Sequence, residues 1–132
     1  MSWRDAQVRD LWKRAEVTLG VAERDLRDGV PDCAAARAYY AAFHAASALL
    51  LSAGKRPSKH TQVMAAIHRD YVREGKLPRQ AGQIISALYE KRDIGDYGGS
   101  EHVAPEEAET AVADARRFLD LVRPLLPLQP SP

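Results

Sequence analysis

The amino-acid sequence predicts an all-α protein, an antiparallel up-and-down bundle of about five helices. Three observations predict it. Apolar residues recur at three- and four-residue steps over long stretches, the alternation typical of strands is nearly absent, and Gly and Pro cluster between the apolar stretches. With 132 residues, 45% of them hydrophobic, the chain suits one domain with its own core and is too apolar for disorder.

The first helix is expected over about 4–28, where Val8, Leu11, Trp12, Ala15, Leu19, Ala22 and Leu26 form one apolar stripe. Gly29-Val30-Pro31 ends it, and Asp32 is placed to cap a second helix over about 32–53. From Ala38 to Ala53 nearly every residue is apolar, so this helix has no solvent face and belongs at the centre of the bundle. A membrane span is the alternative, but the run is short, Ala-rich and carries Arg37, two Tyr and His44. Ser58 is placed to cap a third helix over about 58–74, with Val63, Met64, Ile67 and Tyr71 inward. The fourth, over about 79–96, aligns Ala81, Ile84, Ile85 and Leu88 and continues the stripe into Arg92. Pro105-Glu106-Glu107 opens a fifth helix reaching about 123, with Pro in its first turn and carboxylates at the positive end of its dipole. The domain is expected to span 1–124, with 125–132 as a Pro-rich, extended or disordered tail.

Composition excludes several function classes. A lone Cys33 rules out a disulfide scaffold or a Cys-based zinc site. His44, His60, His68 and His102 show no metal-ligand or protease spacing, so no metal and no cofactor is expected. There is no phosphate-binding Gly loop and no nucleophile elbow. Nineteen basic against eighteen acidic residues leave no global field for nucleic acid, so any basic groove must be local. The opening Met1-Ser2-Trp3-Arg4-Asp5 lacks the apolar core of a secretory signal, and the chain is expected to be cytoplasmic.

Two polar clusters interrupt the apolar pattern. Helical spacing brings Arg37, Tyr40 and His44 to one side of the second helix, where they form a strip that demands partners. In Arg92-Asp93-Ile94-Gly95-Asp96-Tyr97, Asp96 stands one turn beyond Arg92, placed to hold the guanidinium. The residues alone allow two readings of that pair: an internal ion pair sealed by Tyr97, or an arginine oriented to bind a phosphate.

Taken with Gly54-Lys55-Arg56-Pro57-Ser58-Lys59-His60, Glu74-Gly75-Lys76-Leu77 and Glu90 through Gly98, the Arg37–His44 segment resembles the HEPN family, whose name stands for higher eukaryotes and prokaryotes nucleotide-binding. The order and spacing are those of its small stand-alone prokaryotic branch. The resemblance implies a helical bundle that pairs as a homodimer and is encoded beside a minimal nucleotidyltransferase as toxin and antitoxin. Active family ribonucleases carry Arg, four to six further residues, then His, and Arg92 matches that Arg. Tyr97 stands five residues after it, Gly98 and Gly99 follow, and His102 lies ten residues on, past a Gly-Gly-Ser stretch. The motif His is therefore missing, and Tyr97, titrating near 10 in the unperturbed state, is a poor replacement at neutral pH. The expectation is a module that binds a nucleotide, RNA or a nucleotidyltransferase without robust catalysis, through a groove of Arg37, Tyr40, His44, Arg92, Asp96 and Tyr97. The alternatives are a metal-independent endoribonuclease using Arg92 with Tyr97, His44 or His102, and a purely structural helical interaction domain.

Overall fold

The computed structural model describes residues 3–128. Helix α1 runs Trp3–Arg27, α2 Pro31–Ser52, α3 His60–Ile67, α4 Arg79–Tyr97 and α5 Pro105–Val122. No strand occurs among the described residues. The expected five-helix bundle is the observed one, with boundaries shifted by a few residues and one helix changed in kind.

Helix α2 is the hub. It packs against α1, α4, α5 and α3, and its buried residues include Ala34, Ala38, Ala41, Ala42, Ala45, Ala46, Ala48, Leu49 and Leu50. Methyl side chains let neighbouring helices approach its backbone closely, which explains an apolar helix built mainly of Ala. No described helix is long and apolar enough to cross a membrane. The other helices are one-sided, as their stripes require. α1 buries Val8, Trp12, Ala15, Leu19 and Ala22, while α5 buries Ala108, Ala111, Val112, Ala115, Phe118, Leu119 and Val122.

Local chemistry sets the helix ends. After α1, Gly29 adopts φ 75°, its N–H donates to Leu26 O, and Val30 N–H donates to Asp25 O. Gly54 closes α2 in the same way, at φ 81° with Lys55 N–H donating to Leu50 O, a conformation in which a Cβ would be strained. Asp32 does not cap α2. The helix begins one residue earlier at Pro31, whose missing N–H costs nothing at that position, and Val30 is the N-cap. Asp32 is thereby freed to tie down the segment before α5: it accepts the Val103 N–H at 2.7 Å and faces His102 Nδ1 at 2.8 Å. Both contacts hold its carboxyl below the usual carboxylate range, the His102 bond most strongly.

The expected third helix over 58–74 is not one regular helix. Ser58 stays outside it, Lys59 is the N-cap, and α3 passes at His68–Val72 into a wider π turn. There the Tyr71 hydroxyl donates to Leu49 O of α2 at 3.3 Å, an anchor that periodicity alone does not reveal. Beyond α5 a 3-10 turn spans Arg123–Leu125 and Leu126 is buried, so packed chain continues past the boundary expected at 124. Residues 129–132 of the expected tail lie outside the described residues.

Gly20 lies inside α1, and a Cβ there meets nothing within 4 Å. Gly20→Ala should stabilise the chain by about 0.5–1 kcal/mol, because only backbone entropy changes. Urea denaturation measures it, and a loss of stability would show that the α1 surface needs the gap.

Candidate functional site

The polar residues foreseen as one groove divide between two places. Arg37 leans toward α1, where its Nη1 pairs with Asp25, and it is substantially exposed. His44 is half-buried beside α1, and burial, followed by the charge of Arg14, pushes its imidazole below its ordinary value. Neither residue joins Arg92. At about 100° per residue, Arg37 and His44 lie within about 20° of each other, whereas Tyr40 is offset toward the stripe of Tyr39 and Phe43. The strip therefore straddles the seam of α2 with two neighbours, and only Tyr40 falls on the α4 side.

On that side Tyr40, Arg92, Asp96 and Tyr97 do come together. Tyr40 Oη donates to Asp96 Oδ2 at 3.2 Å, and Asp96 Oδ2 stands 3.8 Å from Arg92 Nη1. That separation is too long for a hydrogen bond, so the carboxylate balances the guanidinium loosely. The Arg92 side chain is 8% exposed and that of Asp96 29%. The guanidinium carbon sits over three phenol rings, 4.9 Å from the Tyr89 centroid, 5.5 Å from Tyr97 and 5.7 Å from Tyr39. Tyr89 is partly buried, edge-on to Tyr39 at 5.4 Å. Tyr97 is 73% exposed, so one wall of this aromatic box is open to solvent. Among the described residues, Arg92 Nε is the buried side-chain polar atom with no hydrogen-bond partner.

Close approach of α4 to α2 makes the box possible. A Cβ at Gly95 would fall 2.6 Å from Asp32 O, so glycine at this position lets the end of α4 lie against the first turn of α2. Arg92 and Asp96 are thereby brought opposite Tyr39 and Tyr40.

One residue of the cluster was missed from the sequence. His60, the first residue of α3, lies with Nδ1 2.7 Å from Tyr39 Oη and its ring 4.6 Å from that of Phe43. Tyr40 and Tyr89 also border it, at 6.3 and 6.1 Å between centroids. Burial and then the Arg92 charge push its imidazole below the ordinary value. The only available signal was its place two residues after the Pro57-Ser58 break, inside the segment that carries the family resemblance. His102 is drawn away to Asp32, ten residues beyond Arg92 in sequence.

Among the described residues no group of three or more His, Cys, Asp or Glu side chains is placed to hold a metal ion. A cleft of about 390 Å³ between α1 and the end of α2, bordered by Arg14, Ser47, Leu51, Lys55 and Arg56, shares no residue with the tyrosine box. It is open and holds no unpartnered buried group. The chemistry concentrates at Arg92.

Comparison with known proteins agrees with this architecture. A UPF0332 protein of Thermotoga maritima is 35% identical over 118 residues, covering 89% of each chain. A Methanocaldococcus jannaschii protein named "Putative toxin" is 34% identical over 120 residues, 91% of this chain and 89% of its own. The crystal structure of TT1696 from Thermus thermophilus superposes with a TM-score of 0.77 at 22% identity, covering 91% of this chain and 98% of that one, which establishes the shared fold. The HEPN domain model matches residues 8–125, nearly the whole bundle, and the chain belongs to the HEPN domain family.

Proposed function

We propose that this chain is the RNA-binding, toxin-like member of a two-component pair, with a phosphate held at Arg92 and a base stacked on Tyr97. The observation that carries the reading is the state of Arg92. An internal structural arginine satisfies its donors, whereas here the buried Nε–H has no partner and Asp96 stays beyond hydrogen-bond distance. A guanidinium stacked on tyrosine faces and incompletely paired is suited to a phosphodiester, which supplies paired acceptor oxygens. Tyr97, exposed beside the cation, supplies a flat face of the kind on which single-stranded bases stack. The name of the M. jannaschii relative supports the toxin-like role. From the family resemblance we include a homodimer and a minimal nucleotidyltransferase as the second member of the pair; neither is required for one chain to hold a phosphate.

Fluorescence anisotropy with a short labelled single-stranded RNA tests the reading. Tyr97→Ala should weaken binding by about 1–3 kcal/mol, the range for loss of one stacked base, and leave stability almost unchanged because the ring is exposed. Absence of RNA binding by the unaltered chain at micromolar concentration and low salt would sink the proposal.

A further inference from the structure

Among the described Trp, Tyr and Phe side chains, the exposed ones are Trp3, at 68%, and Tyr97, at 73%. Each has a guanidinium over its ring. The Arg56 carbon lies 4.9 Å from the Trp3 centroid, as that of Arg92 lies 5.5 Å from Tyr97. Tyr97 belongs to the box between α2 and α4. Trp3 opens α1, and its partner Arg56 lines the cleft of about 390 Å³ between α1 and the end of α2.

That cleft collects positive charge which the chain as a whole, at +1, does not have. Arg14 comes from α1, Lys55 and Arg56 from the turn after α2, and Asp10 is the one carboxylate of the lining. Arg4 adds to them, its Nη1 3.2 Å from where a Cβ would stand on Gly54. Arg56 Nη2 donates to Gln7 Oε1 at 3.1 Å, which holds the guanidinium beside Trp3 and leaves other donors of its fork unused. Lys55 is shared with Asp70, whereas Arg14 makes no hydrogen bond or ion pair among the described residues. Leu11, Leu51 and Pro57 supply an apolar wall. Cations at an open surface, with an exposed indole beside them, suit a strand gripped by its phosphates and stacked through its bases. An acidic peptide would use the cations alone; a nucleic-acid strand uses the cations and the ring together.

We infer that this cleft is a second subsite for the single-stranded RNA held at Arg92, with a base stacked on Trp3 and phosphate oxygens on Arg14 and Arg56. The inference rests on the RNA-binding reading given above. The α2–α3 connection joins the two places. Pro57 lines the cleft and His60 borders the tyrosine box, and three residues of chain span at most about 11 Å. Lys59, exposed, stands between them and continues the positive track. A strand crossing this connection meets one arginine with an open aromatic face at each end. Such a pair grips any base, so the second subsite selects for single strands and for length rather than for sequence.

The test uses the full chain with labelled single-stranded RNAs of about 4 and about 12 nucleotides. The longer strand should bind at least about tenfold more tightly and should quench tryptophan fluorescence. The other tryptophan, Trp12, is 7% exposed, so the quenching should vanish in Trp3→Ala. That variant should bind the longer strand about 5- to 100-fold more weakly, the range for one stacked base. Arg14→Gln should lower the slope of log affinity against log salt by about 0.7, the share of one phosphate contact on a single strand. Both side chains are exposed, so both variants should melt with the unaltered chain. Unaltered affinity in Trp3→Ala, or an unaltered salt slope in Arg14→Gln, would overturn the inference and leave the binding reading standing. So would equal affinity for the two lengths. Poly-glutamate that binds through Arg14 as tightly as the longer strand would mark a groove for an acidic protein, and likewise overturns it. An unaltered chain that does not bind RNA overturns both readings.

Discussion

Replacing Arg92 by Ala should weaken RNA binding by about 10- to 100-fold, the equivalent of one charge-assisted phosphate contact, and cost about 1–3 kcal/mol of stability. The binding loss follows from removing the cation of the tyrosine box. The stability loss is the packing of the Arg92 stem and its contacts with the rings of Tyr39, Tyr89 and Tyr97. It should stay below the roughly 3–5 kcal/mol of a broken buried ion pair, because Asp96 is not stranded. Its side chain is 29% exposed, it keeps the Tyr40 hydrogen bond at 3.2 Å, and it stands 3.8 Å from the guanidinium. Arg92→Met separates the two effects, since it preserves the apolar stem while removing the charge. That variant should melt close to the unaltered protein and bind as poorly as Arg92→Ala. Urea denaturation and RNA anisotropy on the same samples decide the matter. A loss of about 3–5 kcal/mol for Arg92→Ala with unchanged binding would make the arginine a structural strut and end the functional reading.

Gly95→Ala should destabilise the bundle by about 1–3 kcal/mol, although alanine is ordinarily the better helix former by about 0.5–1 kcal/mol. The added methyl would lie 2.6 Å from Asp32 O and 3.4 Å from its carbonyl carbon, both backbone atoms in the first turn of α2. Neither can swing aside, so the end of α4 must move away from α2, carrying Arg92 and Asp96 away from Tyr39 and Tyr40. RNA binding should fall with stability. Gly82→Ala is the comparison. There the methyl would meet the His68 ring at 2.5 and 2.6 Å, but that ring is exposed and can rotate, giving up its 3.3 Å contact with Ser86 Oγ. Its net effect should stay within about 1 kcal/mol. Equal losses from the two substitutions would show that the close approach at Gly95 is not what positions the site.

Helix positions were legible because they depend on neighbours in sequence. The stripe from Val8 to Leu26, the apolar run from Ala38 to Ala53 and the breaks at Gly29, Gly54 and Gly98 each express a preference complete within a few residues. The pairing of Arg92 with Asp96 was legible for the same reason, since residues four apart on one helix meet wherever the helix goes, whereas the Tyr97 ring under the guanidinium is seen only in the structure. The family resemblance pointed to the same segment, but it could not say whether the arginine was satisfied. That depends on the Tyr39 and Tyr89 rings and on a separation of 3.8 Å to Asp96.

The sequence by itself determined an all-α bundle with α2 at its centre and an arginine extending the apolar stripe of α4. Tertiary structure alone decided which polar groups share a site. Arg37, Tyr40 and His44 were grouped by helical spacing, yet Arg37 and His44 turn to α1 while Tyr40 turns to α4. His60 shows no metal-ligand or protease spacing in the sequence, yet the start of α3 brings it to Tyr39 across 21 residues of chain. The physical reason is that periodicity states which face of a helix is buried, not which neighbour covers it. A helix in contact with four others has several seams, and a side chain a few tens of degrees from a seam goes to whichever partner offers charge or space. The gathering of His60 and Arg92 around the rings of Tyr39 and Tyr89 was decided by close packing at Gly95 and by the path of the α2–α3 connection, both set by contacts remote in sequence.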